Sequence, residues 1–407
     1  MTNLSLLEKA ELYLNRFCVD IPNRRTGSEG NRAATQFFAN SVAALGWETV
    51  CPEFACLDWS QDGAELSIAG QRFEVLVSPF SLGGTARAPL AVISTVGELE
   101  AADLSGKVVL LQGEIAREQL MPKEFPFYNP VEHQRIVRAL ETARPRAIIA
   151  ATGRNPELAG AVYPFPLIED GDLHIPSVYM TDVQGERLAQ CAGHEVELTI
   201  RARRSEATGS NVIARKGGSA VRRAVLFAHI DAKEGTPGAL DNASGVTVLL
   251  LLAELLAGHD EGLEIELVAM NGEDYYAASG EKLWLAMNEG RLGDIVLGLN
   301  IDGVGHRGGQ PAYSLYGCPP ETAGLIRQVM AAYPLLAEGE AWFQSDHSLF
   351  VAHGVPALAL TSQQFSALWS EVAHTAQDRP EIVDPAQLVL IASALHDLLL
   401  RLEPKPV

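Results

Sequence analysis

Basic residues, cysteine pairs and long apolar runs are all scarce in this chain of 407 residues. Lys and Arg number 31 against 51 Asp and Glu, a net charge of −20. That balance speaks against a nucleic-acid or anionic-membrane binder, because phosphate contacts need basic clusters. The five cysteines, Cys18, Cys51, Cys56, Cys191 and Cys318, are odd in number and form no CxxC. They read as mostly buried thiols of a reducing compartment, with "CPEFAC" as one candidate disulfide. The longest apolar run, Val246 to Ala257, carries Glu254 and is far short of the roughly 20 residues of a membrane span, so it reads as a core helix. The N-terminal "MTNLSLLEKAELYLNRFC" alternates apolar and charged positions at helical spacing. It lacks the basic start and apolar stretch of a signal peptide, which makes a cytoplasmic protein the expectation. No short-period repeat or low-complexity tract appears, and nothing in the sequence speaks to oligomeric state.

What the chain does have is 47% hydrophobic residues, enough for a large core and for two domains. Helices are expected over 5–18 and 29–46, the second capped by Ser28 or Thr26 and closed by Gly46. From about 208 onward strands and helices alternate: "AVLFAH", a helix after Asn242, "EIELVAMN", helices near 278–289 and 320–332, "DIVLGLNID", "PALALTS" and a last helix over 385–402. This is the pattern of an α/β fold with a mostly parallel mixed sheet sandwiched by helices. Between 61 and 204 the texture changes to short β-rich runs such as "GKVVLLQG", "RAIIAAT" and "HEVELTIRAR", with one or two helices. These form an expected β-rich domain inserted into a first domain made of 1–60 and 205–407; one continuous sheet is the alternative.

The chemistry lies at strand ends, where open α/β sheets present ligands. "AVLFAHID" places His229 just past a buried strand and Asp231 two residues on, where a carboxylate can orient a metal-bound imidazole. Asp241 in "GALDNASG" opens the oily helix, and either it or Asn242 would serve as a helix cap. "LVAMNGEDYY" brings Glu273 and Asp274 side by side, and "VLGLNID" leaves Asp302 after an apolar run, awkward for a carboxylate without a cation. "SEVAHTAQD" adds His374 and Asp378. Two histidines with three or four carboxylates suit zinc or a neighbouring divalent metal, and they exceed what one tetrahedral ion needs. Two ions sharing a bridging carboxylate would use them all.

Taken in order, "HID", "GALDNASG", "GED", "NIDGVG", "SDHSLF" and "VAHTAQD" resemble the di-zinc aminopeptidases of the bacterial leucyl aminopeptidase type, relatives of glutamate carboxypeptidase and glutaminyl cyclase. The resemblance covers about 208–402 well and Arg25 to Asn40 weakly. It implies a zinc-exopeptidase fold of the phosphorylase/hydrolase-like kind and two Zn2+ ions, with Co2+ or Mn2+ as substitutes. His229 and Asp302 would hold the first ion, Asp274 and His374 the second, and Asp241 would bridge them. Glu273 would be the general acid/base, Asp231 would orient His229, and Asp346 or Asp378 would orient His374. It further implies peptide substrates with a free α-amine, while the composition already leads us to expect no nucleic acid and no membrane partner. The inserted zone resembles a protease-associated domain, which would roof part of the site and restrict peptide length.

Two departures stand out. Asp274 occupies a position where the family commonly has Glu, and Tyr275 and Tyr276 replace an apolar loop, either lining a pocket or packing. No phosphate loop is present, since "GGTARAPLAV" and "GNRAATQF" lack the required spacing, and Ser345 lacks a nucleophile elbow. His347 and His353 read as supporting or packing residues; His133, His174, His194, His259, His306 and His396 read as surface or core. The reading is therefore a metallo-aminopeptidase. The alternatives are another di-zinc exopeptidase, a glutaminyl-cyclase-like acyltransferase and a non-catalytic binding protein on the same scaffold.

Overall fold

The structure is a computed structural model that describes residues 4–21, 23–123, 125, 128–218, 222–343 and 345–402. The chain divides into two compact units, Met1–Cys56 with Thr208–Val407, and Leu57–Ala207.

The first unit is built on an eight-stranded sheet. Its centre is four parallel strands in the order Glu264–Met270, Arg223–His229, Ile295–Ile301 and Ala357–Ser362. Antiparallel strands flank this centre, Val212–Lys216 on one side and Pro311–Tyr316 on the other. The central strand Arg223–His229 is buried at every position, as a strand covered on both faces must be. Because successive side chains point to opposite faces, Ala224, Leu226 and Ala228 enter one core with the helices Leu6–Asn15, Glu29–Ala44, Ser244–Leu255 and Pro385–Leu399. Val225 and Phe227 enter the other, against Trp284 and Phe350 from the helices Ser279–Met287 and His347–Ala352. Phe227 stacks on Phe350 at 4.5 Å. Gly298 makes this possible, since a Cβ there would come within 2.4 Å of the Phe350 ring.

The oily run is a core helix as read: Val246 and Val248–Ala253 are all buried. Ser28 caps the second helix by accepting from the Asn31 amide; Thr26 is engaged elsewhere, as described below. No helix among the described residues is long and apolar enough to cross a membrane. All five cysteines are free thiols, so "CPEFAC" forms no disulfide.

The second unit has its own eight-stranded sheet. Gly84–Ile93, Val108–Leu111, Ala147–Thr152 and Ser177–Thr181 run parallel within it, and the long strand Glu195–Ser210 pairs antiparallel with the first of these. Its α-helices, Val96–Ala101, Val131–Ala143 and Asp182–Ala189, exceed the one or two expected from sequence. The parallel strands require crossovers, and helices provide them.

Candidate metal centre

The acids and histidines singled out by sequence come together in the first unit, where the parallel strands end. His229 is the last residue of the central strand. Glu273 and Asp274 follow the neighbouring strand Glu264–Met270, and Asp302 follows Ile295–Ile301. His374 lies between the helices Phe365–Glu371 and Pro385–Leu399, with a left-handed backbone (φ +59°) that non-glycine residues adopt uncommonly.

Asp241 sits at the middle of the arrangement. One carboxylate oxygen, Oδ1, is 3.1 Å from His229 Nε2, and the other, Oδ2, is 3.1 Å from His374 Nε2. On the first side Asp302 Oδ1 is 3.6 Å from His229 Nε2. On the second, Asp274 Oδ1 is 3.0 Å from His374 Nε2. Two sets of one imidazole nitrogen and two carboxylate oxygens therefore share a single aspartate. The helix-cap reading of Asp241 gives way, because its two carboxylate oxygens face the two histidines rather than helix amides. Asn242 takes that part: its Oδ1 accepts from the Gly245 amide at 2.9 Å, while its Nδ2 donates to the Ile301 carbonyl at 2.8 Å.

Asp302, Asp274 and Asp231 each have their Oδ2 held by a hydrogen bond. Asp302 Oδ2 accepts from the Ser345 hydroxyl at 2.7 Å. Asn300 Nδ2 donates to Ser345 Oγ at 2.7 Å and also faces His347 Nδ1 at 3.4 Å. Asp274 Oδ2 accepts from the Lys233 amide at 3.1 Å. Asp231 Oδ1 stands 3.6 Å from His229 Nδ1, and its Oδ2 accepts from the Thr26 hydroxyl at 2.9 Å and from the Asp274 amide at 3.1 Å.

The donors fit divalent metal. Both ring nitrogens of buried His229 lack a hydrogen bond of proper geometry although carboxylates of Asp231, Asp241 and Asp302 stand within 3.6 Å. Such groups suit a cation better than a shared proton. His229 Nε2 or Nδ1, a carboxylate oxygen of Asp241 and one of Asp274 lie within 4.8 Å of one another, a spacing that can hold an ion. The protons say the same. Burial alone would lower the His374 pKa, but Asp274 and Asp241 push it up to about 10, and Glu273, Asp231, Asp241 and Asp302 lift His229 well above its usual value against the same burial. Without a metal the site thus gathers protons to balance its acids, and a cation displaces them.

One expectation is corrected, and two open alternatives are decided. Neither Asp346 nor Asp378 orients His374. Asp378 accepts from the main-chain amides of Leu240 (2.7 Å) and Asp241 (3.0 Å) instead. Asp346 is buried with both oxygens unpartnered, and burial first, then the charges of Asp302 and Asp231, push its pKa up to about 7. Tyr275 and Tyr276 are buried, with their rings tilted against each other at 4.4 Å, so they pack. His347 supports the site through Asn300, whereas His353 Nδ1 meets the Leu349 carbonyl in its own helix turn.

Sequence reasoning missed Arg24, Asn31, Asn271 and Glu281. All four are buried. Asn31 and Asn271 exchange side-chain hydrogen bonds at 2.9 Å, and Asn31 also holds the Arg24 carbonyl at 2.9 Å. Glu281 Oε2 is unpartnered, and its pKa is raised well above the usual range by burial and by Asp346. A polar side chain three residues apart from a cap was the only available signal, and it has too many ordinary explanations.

Beside the centre runs an aromatic wall. The Trp369 ring is 5.5 Å from that of His374, Phe365 stacks on Trp369 at 5.9 Å, and Trp342 lies 4.6 Å from Phe365.

Residues 211–399 match the model of peptidase family M28. Over 355 residues the chain is 23% identical to the probable leucine aminopeptidase 2 of Aspergillus fumigatus, an alignment that covers 82% of this chain and 67% of that protein. Among solved structures, the aminopeptidase from an Aneurinibacillus species superposes with a TM-score of 0.74 at 20% identity, over 98% of this chain and 96% of that one. A zinc aminopeptidase from Bacillus subtilis does so with a TM-score of 0.71 at 20% identity, over 98% and 95%. These likenesses bear out the fold class and the family resemblance read from the motifs.

Proposed function

We propose that this chain, whose residues 211–399 match the model of peptidase family M28, is a zinc-dependent aminopeptidase that removes N-terminal residues from peptides at a two-ion centre. One observation carries this: the two oxygens of Asp241 face two different histidines, each at 3.1 Å. His229, Asp302 and Asp241 Oδ1 would hold one ion; His374, Asp274 and Asp241 Oδ2 would hold the other. When bound, such a pair supplies a polarised scissile carbonyl and an acidified water.

The protein's own groups do the rest. Glu273 adjoins Asp274, and no hydrogen bond among the described residues engages its carboxylate. It takes the proton of the attacking water and returns it to the leaving amine. Asp231, fixed by Thr26 and by the Asp274 amide, holds the His229 ring through Nδ1. The excess of carboxylates favours a substrate bearing a free α-ammonium group. The aromatic wall formed by Trp369, Phe365 and Trp342 offers apolar contact to the side chain of the residue removed, which supports a preference for large apolar residues. Free thiols at all five cysteines support a reducing, cytoplasmic setting. The unit Leu57–Ala207 is proposed to be of protease-associated type.

Metal analysis together with an assay on aminoacyl nitroanilides and their N-blocked analogues tests this reading. Two divalent ions per chain and activity only on the free amine are expected; equal cleavage of blocked substrates would overturn it.

A further inference from the structure

Arg24 is a buried cation, 1% exposed, whose guanidinium donates to four main-chain carbonyls. Its Nε donates to Ile230 O at 3.1 Å, Nη1 to Phe17 O at 2.7 Å and Pro237 O at 2.8 Å, and Nη2 to Gly238 O at 2.8 Å. Burying a guanidinium is costly, and this one serves a particular stretch of chain. Ile230 lies between His229 and Asp231, and Pro237 and Gly238 lie just before Asp241. One planar fork thus grips both ends of the loop that separates the first histidine from the shared aspartate.

The Asp378 carboxylate grips Leu240 and Asp241, further along the same loop. Its Oδ1 accepts from the Leu240 amide at 2.7 Å and its Oδ2 from the Asp241 amide at 3.0 Å. Arg24 and Asp378 are near enough for their charges to act on each other. The loop is shaped to receive them: Gly238 has φ +60°, and a Cβ there would stand 2.7 Å from Arg24 Nη2 and 2.5 Å from the Asp241 carbonyl oxygen. Only glycine permits that approach.

We propose that Arg24 and Asp378 are a pair of positioning residues that clamp the 230–241 loop by its main chain, so setting how far the Asp241 carboxylate stands from His229 and His374. The inference rests on the two-ion reading above. Neither residue touches substrate or ion; both act by fixing where the shared carboxylate is presented. The fork is the reason for arginine, because a lysine ammonium in the same place reaches fewer of the four carbonyls in fixed geometry.

The test uses the full chain, zinc affinity from competition with a chromophoric chelator, and the visible absorption of the Co2+-loaded protein, which reports coordination geometry. Arg24→Lys keeps the charge and loses the fork; Asp378→Asn keeps the shape and sets an amide NH2 against a main-chain donor. Each variant, with wild-type circular dichroism, is expected to bind zinc at least about tenfold more weakly, the usual cost of disturbing groups that orient ligands, and to give an altered Co2+ spectrum. If Arg24→Lys fails to fold, Asp378→Asn decides alone. Wild-type affinity and spectrum in a folded variant overturn the inference while leaving the two-ion reading intact. A wild-type protein that binds no zinc overturns both.

Discussion

The hydroxyl of Thr26 donates to Asp231 Oδ2 at 2.9 Å, tying the N-terminal segment to the acid that faces His229 Nδ1. Thr26→Val keeps the shape and removes the donor, leaving a buried carboxylate one hydrogen bond short. Loss of a donor to a buried charge costs about 1.5–3 kcal/mol. Thermal unfolding of the metal-loaded protein should show a lower Tm, with weakened zinc binding. An unchanged Tm and unchanged zinc affinity would mean that Asp231 is held without Thr26.

Glu273→Gln should bind metal as the wild type does yet lose roughly a hundred- to ten-thousand-fold in kcat, the usual share of a general acid/base. Steady-state kinetics beside metal analysis separates the two effects. Full activity in the variant would remove Glu273 from the proton path.

Trp369→Ala should act on selectivity. Its ring stands 5.5 Å from that of His374, so truncation removes apolar contact beside the site. An expected loss of about tenfold in kcat/KM on leucyl and phenylalanyl substrates corresponds to ~1.4 kcal/mol of apolar burial, with little change on alanyl ones. A uniform loss on all three would place the wall outside the substrate pocket.

Chelation should destabilise the fold as well as silence it. With ligand at about a hundredfold over its Kd, binding to the native state alone contributes ~2.7 kcal/mol, so stripping the metal should lower Tm and restoring zinc should raise it again. A Tm indifferent to metal would argue that the acids are balanced in some other way.

The sequence made legible what repeats in period or stands alone against it. The run "AVLFAH" reads as a buried strand ending in a histidine, and its parallel partners Glu264–Met270 and Ile295–Ile301 lead into Glu273, Asp274 and Asp302. Asp302 was legible because an apolar run led into it. The support of the site was not, because it depends on long-range main-chain contacts. Thr26 looks like a helix cap, Asp378 looks like a partner for the nearby His374, and Arg24 is one arginine beside another; only the folded chain brings Thr26 to Asp231 and Arg24 to Gly238. The helices of the second unit were under-read for a similar reason: short strands dominate its pattern, while the crossovers between Ile93, Val108 and Ala147 are imposed by parallel pairing.

The central claim is that Asp241 joins two ions, one on the His229 and Asp302 side and one on the His374 and Asp274 side. Anomalous diffraction at the zinc edge from crystals of the zinc-loaded protein tests it directly. Two peaks ~3.5–4 Å apart, one near each oxygen of Asp241, are predicted; a single peak, or peaks remote from Asp241, would contradict the account.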